Sequence, residues 1–412
     1  MYYNKYWLKT LKKNQYSNNE IAVVVNCNNI MAMPIIRLLG KAEVNVVGVF
    51  GSAKSNSHYH NIIKESKYLK QRVFFDETHY ELELINVLKN FGESCKNKPV
   101  LFLASDTDLN FISLNRDVLK DYFLFTLPEH QLIKKILNKE LFIDLAHEKN
   151  LPIPFSKKIS SVKELYEYSN SMRYPIIIKP SWRNNDWLKK YHEKKLFIVN
   201  KKEEIKNIIE ILEDFPTNYL IQEIIPGPEE NIFCSFAILD NNSEPIEIGF
   251  CRKLRQYPPD FGNTSVAQPI ENEDLKILSL EIFQKLNLKG YASIEFKLDP
   301  RDHKLKIMET TPNRFNRQFA VTWLNGINLP LQLFNFEMKI PTKKAFAHFS
   351  RKYWLSEVNE IRRIRVTKHK IKGIFRLIFT ILNTRVFEIF DINDIKPFFA
   401  LIKDYLHYFG KL

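Results

Sequence analysis

Residues 290–314 read GYASIEFKLDPRDHKLKIMETTPNR, and this stretch decides the fold. Polar and apolar residues alternate on both sides of residues 299–302 (DPRD), which have the composition of a turn, so the stretch predicts two strands joined in a hairpin. In that hairpin Glu295 and Glu309 lie on adjacent strands and face the same way. Two such carboxylates suit Mg²⁺, which takes few protein oxygens together with substrate phosphates. The spacing alone is also compatible with a surface hairpin whose two acidic side chains are solvated and bind no metal.

The composition of the chain is that of a globular protein with a basic surface. Its 412 residues are 45% hydrophobic and 26% charged, which predicts two or three folded domains and excludes global disorder. A net charge of +14 favours anionic partners such as nucleotides, sugar phosphates or an anionic membrane surface. The basic residues are spread along the chain, and no helix-turn-helix, zinc-finger or RNP pattern occurs, so we expect no specific nucleic-acid partner.

The cysteines and the N-terminal residues bear on the compartment. No two cysteines form a CxxC pair, and most lie in or beside apolar runs, as buried reduced thiols do. The leader has no apolar core of signal-peptide length, and the chain has no run of about twenty apolar residues. We therefore expect a cytoplasmic protein. The four cysteines are Cys27, Cys95, Cys234 and Cys251.

The first part of the chain alternates apolar runs with helical patterns. Residues 21–26 (IAVVVN), 44–50 (VNVVGVF) and 100–105 (VLFLAS) read as buried strands. Strands that alternate with helices predict a parallel sheet with helices on both faces. The turn after the first strand is Cys27-Asn28-Asn29 and not GxGxxG, so the dinucleotide fingerprint is absent. We predict an α/β domain that serves the substrate or acts as a scaffold.

The middle of the chain has a different, antiparallel character. Residues 174–180 (YPIIIKP) predict a short apolar strand that carries the ammonium group of Lys179 near its end, although a lysine that snorkels from a strand end has the same pattern. Residues 219–226 (YLIQEIIP) and 247–256 (EIGFCRKLRQ) predict further strands. Together they indicate a second architecture.

The order of these features resembles the ATP-grasp superfamily over about residues 139–328. Within it the chain is most similar to carboxylate–amine ligases of the D-aspartate ligase type and to ligases of exopolysaccharide gene clusters, through EFKLDPRD and the later TWLNGINLPL. The matching segments are KELFIDLAHEKNLPIP with Lys139, YPIIIKP with Lys179, IQEIIPGPEEN with Glu223 and Glu230, CRKLRQYPPDFGNTS, SIEFKLDPRD with Glu295, and METTPNR with Glu309.

The resemblance implies a fold and its domain organisation. A pre-ATP-grasp α/β domain with a parallel sheet would precede an α+β ATP-grasp fold, in which two subdomains clasp ATP, and a basic helical tail would follow. The predicted boundaries are a leader at 1–18, the pre-ATP-grasp domain at 19–128, the N-terminal and C-terminal ATP-grasp subdomains at 129–215 and 216–345, and the tail at 346–412.

The resemblance also implies an ATP- and Mg²⁺-dependent ligase that joins a small-molecule carboxylate to an amine through an acyl phosphate, with an amino acid added to a cell-envelope or polysaccharide precursor. A ligase of free amino acids or dipeptides and a non-catalytic nucleotide-binding protein remain open, and a homodimer is expected from the relatives. The implied residues are Lys139 and Lys179 for the phosphates, the backbone of Glu223, Ile224 and Ile225 for adenine, Glu230 for ribose, Glu295, Glu309, Thr311 and Asn313 for the metal, and Arg252, Arg255 and Arg314 for the substrate carboxylate and the acyl-phosphate oxyanion.

Two departures from the family pattern carry weight. Many members read Glu-x-Asn-Pro-Arg at the last strand, whereas this chain has Thr311 at the Asn position and Arg314 one place later; Asn313 is an alternative source of an amide oxygen. The loop after Lys179, SWRNNDWLKKYHEKK, has no glycine for the usual phosphate-covering flap. We predict that basic side chains cover the phosphates and that a tryptophan acts as a lid. The candidates are Arg183, Lys189, Lys194 and Lys195, with Trp182 or Trp187.

Residues 346–412 differ in composition from the rest of the chain. Residues 361–372 (IRRIRVTKHKIK) are basic and residues 374–382 (IFRLIFTIL) are apolar, and we predict amphipathic helices. A helix with Arg and Lys beside Phe and Leu can lie on an anionic membrane, in peripheral contact with its inner face. A helical cap that packs on the body with its basic face in water is the alternative, and the sequence leaves both open.

Overall fold

A computed structural model describes residues 19–52, 58–180, 196–213, 218–259, 262–341, 350–367 and 369–409. The chain divides into two units. The first unit comprises Met1–Ile133, Phe233–Ile294 and Thr311–Leu412, and the second comprises Lys134–Ile232 and Glu295–Thr310.

The first unit opens with a four-stranded parallel sheet in the order β3-β2-β1-β4. β1 and β2 are almost wholly apolar and buried, as expected of strands covered on both faces. The predicted parallel α/β domain is confirmed. Its elements are β1 (Ile21–Val25), α1 (Ala32–Lys41), β2 (Asn45–Gly51), α2 (His58–Ile63), β3 (Leu69–Phe75), α3 (Tyr80–Ser94), β4 (Val100–Leu103), α4 (Asp106–Leu114) and α5 (Arg116–Leu119).

The second unit is built on a four-stranded antiparallel sheet in the order β5-β8-β6-β7. An apolar core that includes Leu165, Ile178 and Ile221 packs on this sheet. The strands predicted at residues 174–180 and 219–226 are confirmed. The elements are α6 (His130–Leu137), which spans the unit boundary, α7 (Lys139–Glu148), β5 (Ser156–Ile159), α8 (Val162–Ser169), β6 (Ile176–Pro180), β7 (Phe197–Val199), α9 (Ile205–Glu213) and β8 (Tyr219–Glu223).

A seven-stranded sheet has the order β13-β12-β9-β10-β11-β14-β15. The hairpin predicted at residues 290–314 is confirmed as β12 and β13, and both strands run on into residues 295–310 of the second unit. The elements are β9 (Ile232–Leu239), β10 (Pro245–Tyr257), β11 (Asn263–Ile270), α10 (Glu273–Lys285), β12 (Gly290–Asp299), β13 (Lys304–Pro312), α11 (Leu329–Glu337), β14 (Tyr353–Leu355), α12 (Glu357–Val366), α13 (Lys370–Asn383), β15 (Thr384–Phe387) and α14 (Lys396–Phe409).

The C-terminal region is helical, as predicted, but it is also anchored in the first unit. β14 and β15, which the sequence did not predict, extend the large sheet. Arg37 of α1 forms a buried ion pair with Asp394 at 3.0 Å and donates to the carbonyl of Ile389 at 2.6 Å. The Ser66 hydroxyl donates to the same Asp394 carboxylate oxygen, at 2.8 Å. Because breaking a buried pair leaves an uncompensated charge, this region is an integral part of the unit.

The four cysteines are free thiols. Cys27, Cys234 and Cys251 are buried free thiols and Cys95 is a half-buried one. None of the helices in the described parts of the chain combines the length and apolar character needed to cross a membrane.

Candidate active site

Two lysines in the second unit form a cationic pair. Lys139 is the first residue of α7, whose N-terminus is capped by the side chain of Asn138. Lys179 stands near the end of β6, opposite Leu220 of β8. Burial, and after it the positive charge of Lys139, lower the pKa of the Lys179 ammonium group to about 8, and Glu140 acts in the opposite direction. Two ammonium groups that repel each other in a partly buried place suit a bound polyanion.

Glu223 at the end of β8 belongs to a buried charge network. One of its carboxylate oxygens accepts from the backbone N–H of Phe155 at 2.9 Å, and the other accepts from the Arg301 guanidinium at 3.0 Å. The same guanidinium donates to both oxygens of the fully buried Asp299, at distances of 2.5 to 3.1 Å. Hydrogen bonds from Arg301 are the main reason that the pKa of Asp299 is lowered. The carboxylate of Glu223 therefore has a structural task.

This network shapes the backbone predicted to read adenine. The amide of Glu223 donates to Phe155 O at 2.9 Å, and the amide of Ile224 donates to Pro175 O at 2.8 Å. In a regular antiparallel ladder the Phe155 amide would return a bond to the Glu223 carbonyl, but here it donates to the Glu223 carboxylate. The adenine prediction consequently rests on the Glu223 carbonyl and on the backbone of Ile225, whose side chain is buried.

The segment after β8 positions Glu230. Gly227 has a φ of 99°, a backbone conformation that residues with a side chain rarely adopt. A Cβ there would lie 2.7 Å from the Asn231 side chain. The tight turn leads into one 3₁₀ turn, Glu229–Asn231, that holds the half-buried Glu230. Its contact with ribose stays a prediction.

The carboxylates of the hairpin both belong to the second unit. Glu295 is half-buried on β12 and Glu309 is exposed on β13. β13 is held by a bond from the Ile307 amide to Pro152 O at 2.8 Å. Among the described residues, no group of three or more His, Cys, Asp or Glu side chains is arranged to hold a metal ion. Two carboxylates fit a Mg²⁺ ion that takes its other ligands from phosphates and water.

Asn313 has a structural role that argues against its use as a metal ligand. Its amide oxygen accepts from the Tyr291 backbone N–H at 3.0 Å, and its amide nitrogen donates to Lys289 O at 2.7 Å. Gly290 has a φ of 68°, and a Cβ there would lie 2.3 Å from the Asn313 amide oxygen. The side chain clamps the start of β12, so its oxygen is already engaged. Thr311 is buried and remains a predicted ligand.

Arg314 lies at the carboxyl edge of the parallel sheet in the first unit. A backbone bridge pairs it with Leu103 at the end of β4. Its Nε donates to Asp106, the first residue of α4, at 2.7 Å, and one terminal nitrogen lies 3.5 Å from the Thr311 hydroxyl. In open parallel sheets small molecules bind at this edge, at the point where the order of the strands reverses. Here that point lies between β1 and β4. Arg314 therefore lies at an edge that suits an anionic substrate, in a pair with Asp106 whose carboxylate side chain is 54% exposed. Asp106, which the sequence did not single out, is a further candidate for this site.

The two arginines of β10 differ in their surroundings. Arg255 donates to Glu360 at 2.6 Å and to the Thr380 hydroxyl at 2.6 Å, and Ser265 holds the other oxygen of Glu360 at 2.7 Å. A substrate would have to break this buried pair, so the predicted substrate role of Arg255 is not supported by the geometry. Arg252 is half-buried, with its guanidinium 5.9 Å from the centre of the Phe233 ring.

The predicted phosphate flap falls outside the described residues. The candidates concerned are Trp182, Arg183, Trp187, Lys189, Lys194 and Lys195.

Known proteins resemble this chain in sequence and in fold. No model of a protein family matches the sequence. D-aspartate ligase from Enterococcus faecium (strain Aus0004) is 26% identical over 265 residues, 62% of this chain and 62% of that protein, so the chain spans less than two thirds of this relative's length. Biotin carboxylase from Campylobacter jejuni, solved as a β-γ-ATP complex, superposes with a TM-score of 0.58 at 12% identity over 78% of this chain and 72% of its own. L-amino acid ligase from Bacillus licheniformis gives 0.53 at 14% identity, over 78% and 74%. At these identities the solved structures share the fold.

Proposed function

We propose that this chain, which has the ATP-grasp fold, is an ATP- and Mg²⁺-dependent ligase that forms an amide bond between a carboxylate and an amine. The observation that carries the proposal is the pair of Lys139 and Lys179, because Lys179 is held at the end of β6 where burial and the charge of Lys139 lower its pKa and Glu140 offsets this only in part. The similarity to D-aspartate ligase supports the same reaction class.

The chemistry assigns a task to each group. A carboxylate oxygen of the substrate attacks the γ-phosphorus of ATP and ADP leaves. This step converts the carboxylate, whose oxygen is a poor leaving group, into an acyl phosphate, whose phosphate is a good one. The nitrogen of the amine then attacks the acyl carbon and inorganic phosphate leaves. Lys139 and Lys179 would bind the phosphates of ATP, and Arg314 would orient the carboxylate. Glu295 and Glu309 would hold Mg²⁺, which neutralises charge on the phosphates when bound.

The proposed setting is the cytoplasm, peripheral to the inner face of a membrane, where an amino acid is added to a cell-envelope or polysaccharide precursor. The relative's substrate is an amino acid by its name, which supports an amino acid as one partner. A homodimer is part of the same proposal. The engaged amide of Asn313 leaves a smaller set of metal ligands, and this observation favours a non-catalytic nucleotide-binding protein as the second candidate function.

A substrate screen tests the proposal. The full chain is incubated with Mg-ATP and pairs drawn from amino acids and sugar acids, and ADP and phosphate release are measured. We expect release that requires both a carboxylate and an amine. Release with the carboxylate alone at the full rate would indicate a kinase. Nucleotide binding without turnover on any pair would favour the non-catalytic candidate.

Nucleotide affinity should depend on pH through Lys179. The pKa of this group in the free protein is about 8, below its ordinary value, so the ammonium is charged at neutral pH and loses its proton as the pH rises. A bound polyphosphate favours the charged form, so affinity falls above the free-protein pKa until the higher pKa of the complex is reached. We expect roughly a tenfold loss of ADP affinity between neutral pH and about pH 9.5, measured by calorimetry.

The Lys179→Arg variant is the matched control, because a guanidinium keeps its charge throughout this range. Its ADP affinity should stay flat with pH. The same decline in both proteins would assign the titration to another group.

A further inference from the structure

The helix α13 (Lys370–Asn383) presents an apolar face to solvent. Ile371, Phe375 and Leu382 are 74%, 69% and 68% exposed. With Ile378 they are spaced four, three and four residues apart, which places all four on one side of an α-helix. Ordinary surface helices bury such a stripe. The remaining exposed apolar residues of α13 are Ile374, Phe379 and Ile381.

The opposite side of α13 is the side that packs on the first unit. Thr380 is buried, and its hydroxyl accepts from Arg255 of β10 at 2.6 Å. A Cβ at Gly373 would lie 3.5 Å from Ile364 of α12. Gly373 and Thr380 therefore lie on the docked face, which fixes the rotation of the helix about its axis. The apolar face of α13 is therefore the one turned away from the body.

The segment that carries this face has charges of a single sign. Residues 361–385 contain no Asp or Glu. On α12 the two acids, Glu357 and Glu360, are engaged inside the unit, since Glu357 accepts from the Phe390 amide at 2.7 Å and Glu360 pairs with Arg255. The exposed charged residues of the segment are all basic: Arg362, Arg365, Lys370, Lys372, Arg376 and Arg385.

We propose that α13 binds an anionic lipid surface, with its apolar face in the interfacial layer and the flanking basic residues on lipid phosphates. A helix of 14 residues is too short to span a bilayer, but an apolar face bordered by Lys and Arg is what an interfacial helix requires. Contact between two copies through this face would bring one basic rim against another, which disfavours a self-association surface. The inference rests on the peripheral setting proposed above and not on the ligase chemistry, so the two can fail separately.

Flotation of the full chain with phosphatidylcholine vesicles, with and without phosphatidylglycerol, tests the proposal. We expect the protein to float with the anionic vesicles only, and the Phe375→Ser/Leu382→Ser variant to lose about tenfold or more of that binding. The Lys370→Glu/Lys372→Glu variant should lose it as well. Circular dichroism verifies that each variant is folded.

A matched control comes from two exposed leucines elsewhere in the first unit. Leu82 and Leu114 are 61% and 62% exposed. The Leu82→Ser/Leu114→Ser variant should float like the wild type. The proposal is overturned if the α13 variants bind anionic vesicles as well as the wild type does. It is also overturned if the wild-type protein does not float with either kind of vesicle. A dimer in light scattering that Phe375→Ser/Leu382→Ser converts to monomer would then assign the face to contact between two copies of the chain.

Discussion

The Glu309→Gln variant is expected to lose ADP release by about a hundredfold or more while its unfolding stays unchanged. Glutamine keeps the size of the side chain and removes the charge with which a carboxylate binds Mg²⁺. Glu309 is exposed on β13, so the substitution removes no packing from the core. The loss should therefore be one of metal and transition-state binding and not of folding.

Two readouts separate these causes. Steady-state ADP release with the substrates found in the screen gives the activity, and the half-saturating Mg²⁺ concentration should rise in the variant. The matched control is Glu281→Gln on α10, an exposed glutamate that pairs with Lys285 at 2.7 Å. It should keep wild-type values of both. A Glu309→Gln enzyme with wild-type turnover and Mg²⁺ requirement would mean that the hairpin carries only solvated acids.

Local patterns in the sequence predicted the elements that organise the site. The alternation in residues 290–314 predicted the β12–β13 hairpin, and the apolar run before Lys179 predicted β6. β3 was missed because its sequence, LKQRVFF, carries three polar residues in a row at an edge of the sheet. An edge strand has one partner and tolerates charges that a central strand does not, so its pattern is weak.

Long-range ion pairs could not be predicted from the sequence. The resemblance implied that Arg255 binds the substrate carboxylate, but its partner Glu360 is 105 residues away. Arg301 looked like part of a turn, although its guanidinium joins Glu223 to Asp299. Neither contact has a periodicity or a spacing that reveals it. Such residues are identified only when folding brings distant segments together.

The orientation of α13 is a third case. Its apolar run is visible in the sequence, but an apolar run normally faces the core. The docked face consists of Gly373, Leu377 and Thr380, of which Thr380 is held by a hydrogen bond from Arg255. Contacts across elements, this hydrogen bond among them, thus fix which side of the helix meets water.

The Arg301→Met variant is expected to lose about 3 kcal/mol of the free energy of unfolding, because two buried carboxylates lose the cation that the partly exposed Arg301 supplies. Methionine fills similar space but leaves Glu223 and Asp299 buried without their cation. Urea denaturation monitored by fluorescence gives the value. The control is Lys306→Met on the same hairpin, because the pair of Lys306 with Asp302, at 3.5 Å, is partly exposed and contributes about 1 kcal/mol at most.

The dependence on pH distinguishes uncompensated charge from simple loss of packing. In the wild type Arg301 lowers the pKa of Asp299. The Asp299 carboxylate therefore contributes stability at pH values above its unfolded-state pKa. That stability is lost as the pH falls through the lower folded-state pKa. Without Arg301, burial raises the folded-state pKa, so the variant should recover stability on mild acidification, where Asp299 takes up a proton. Adding Asp299→Asn to Arg301→Met should restore part of the loss at neutral pH. A deficit that is independent of pH and unchanged in the double variant would show that Arg301 acts through its packing, and that the charge network does not hold the Glu223 backbone in place.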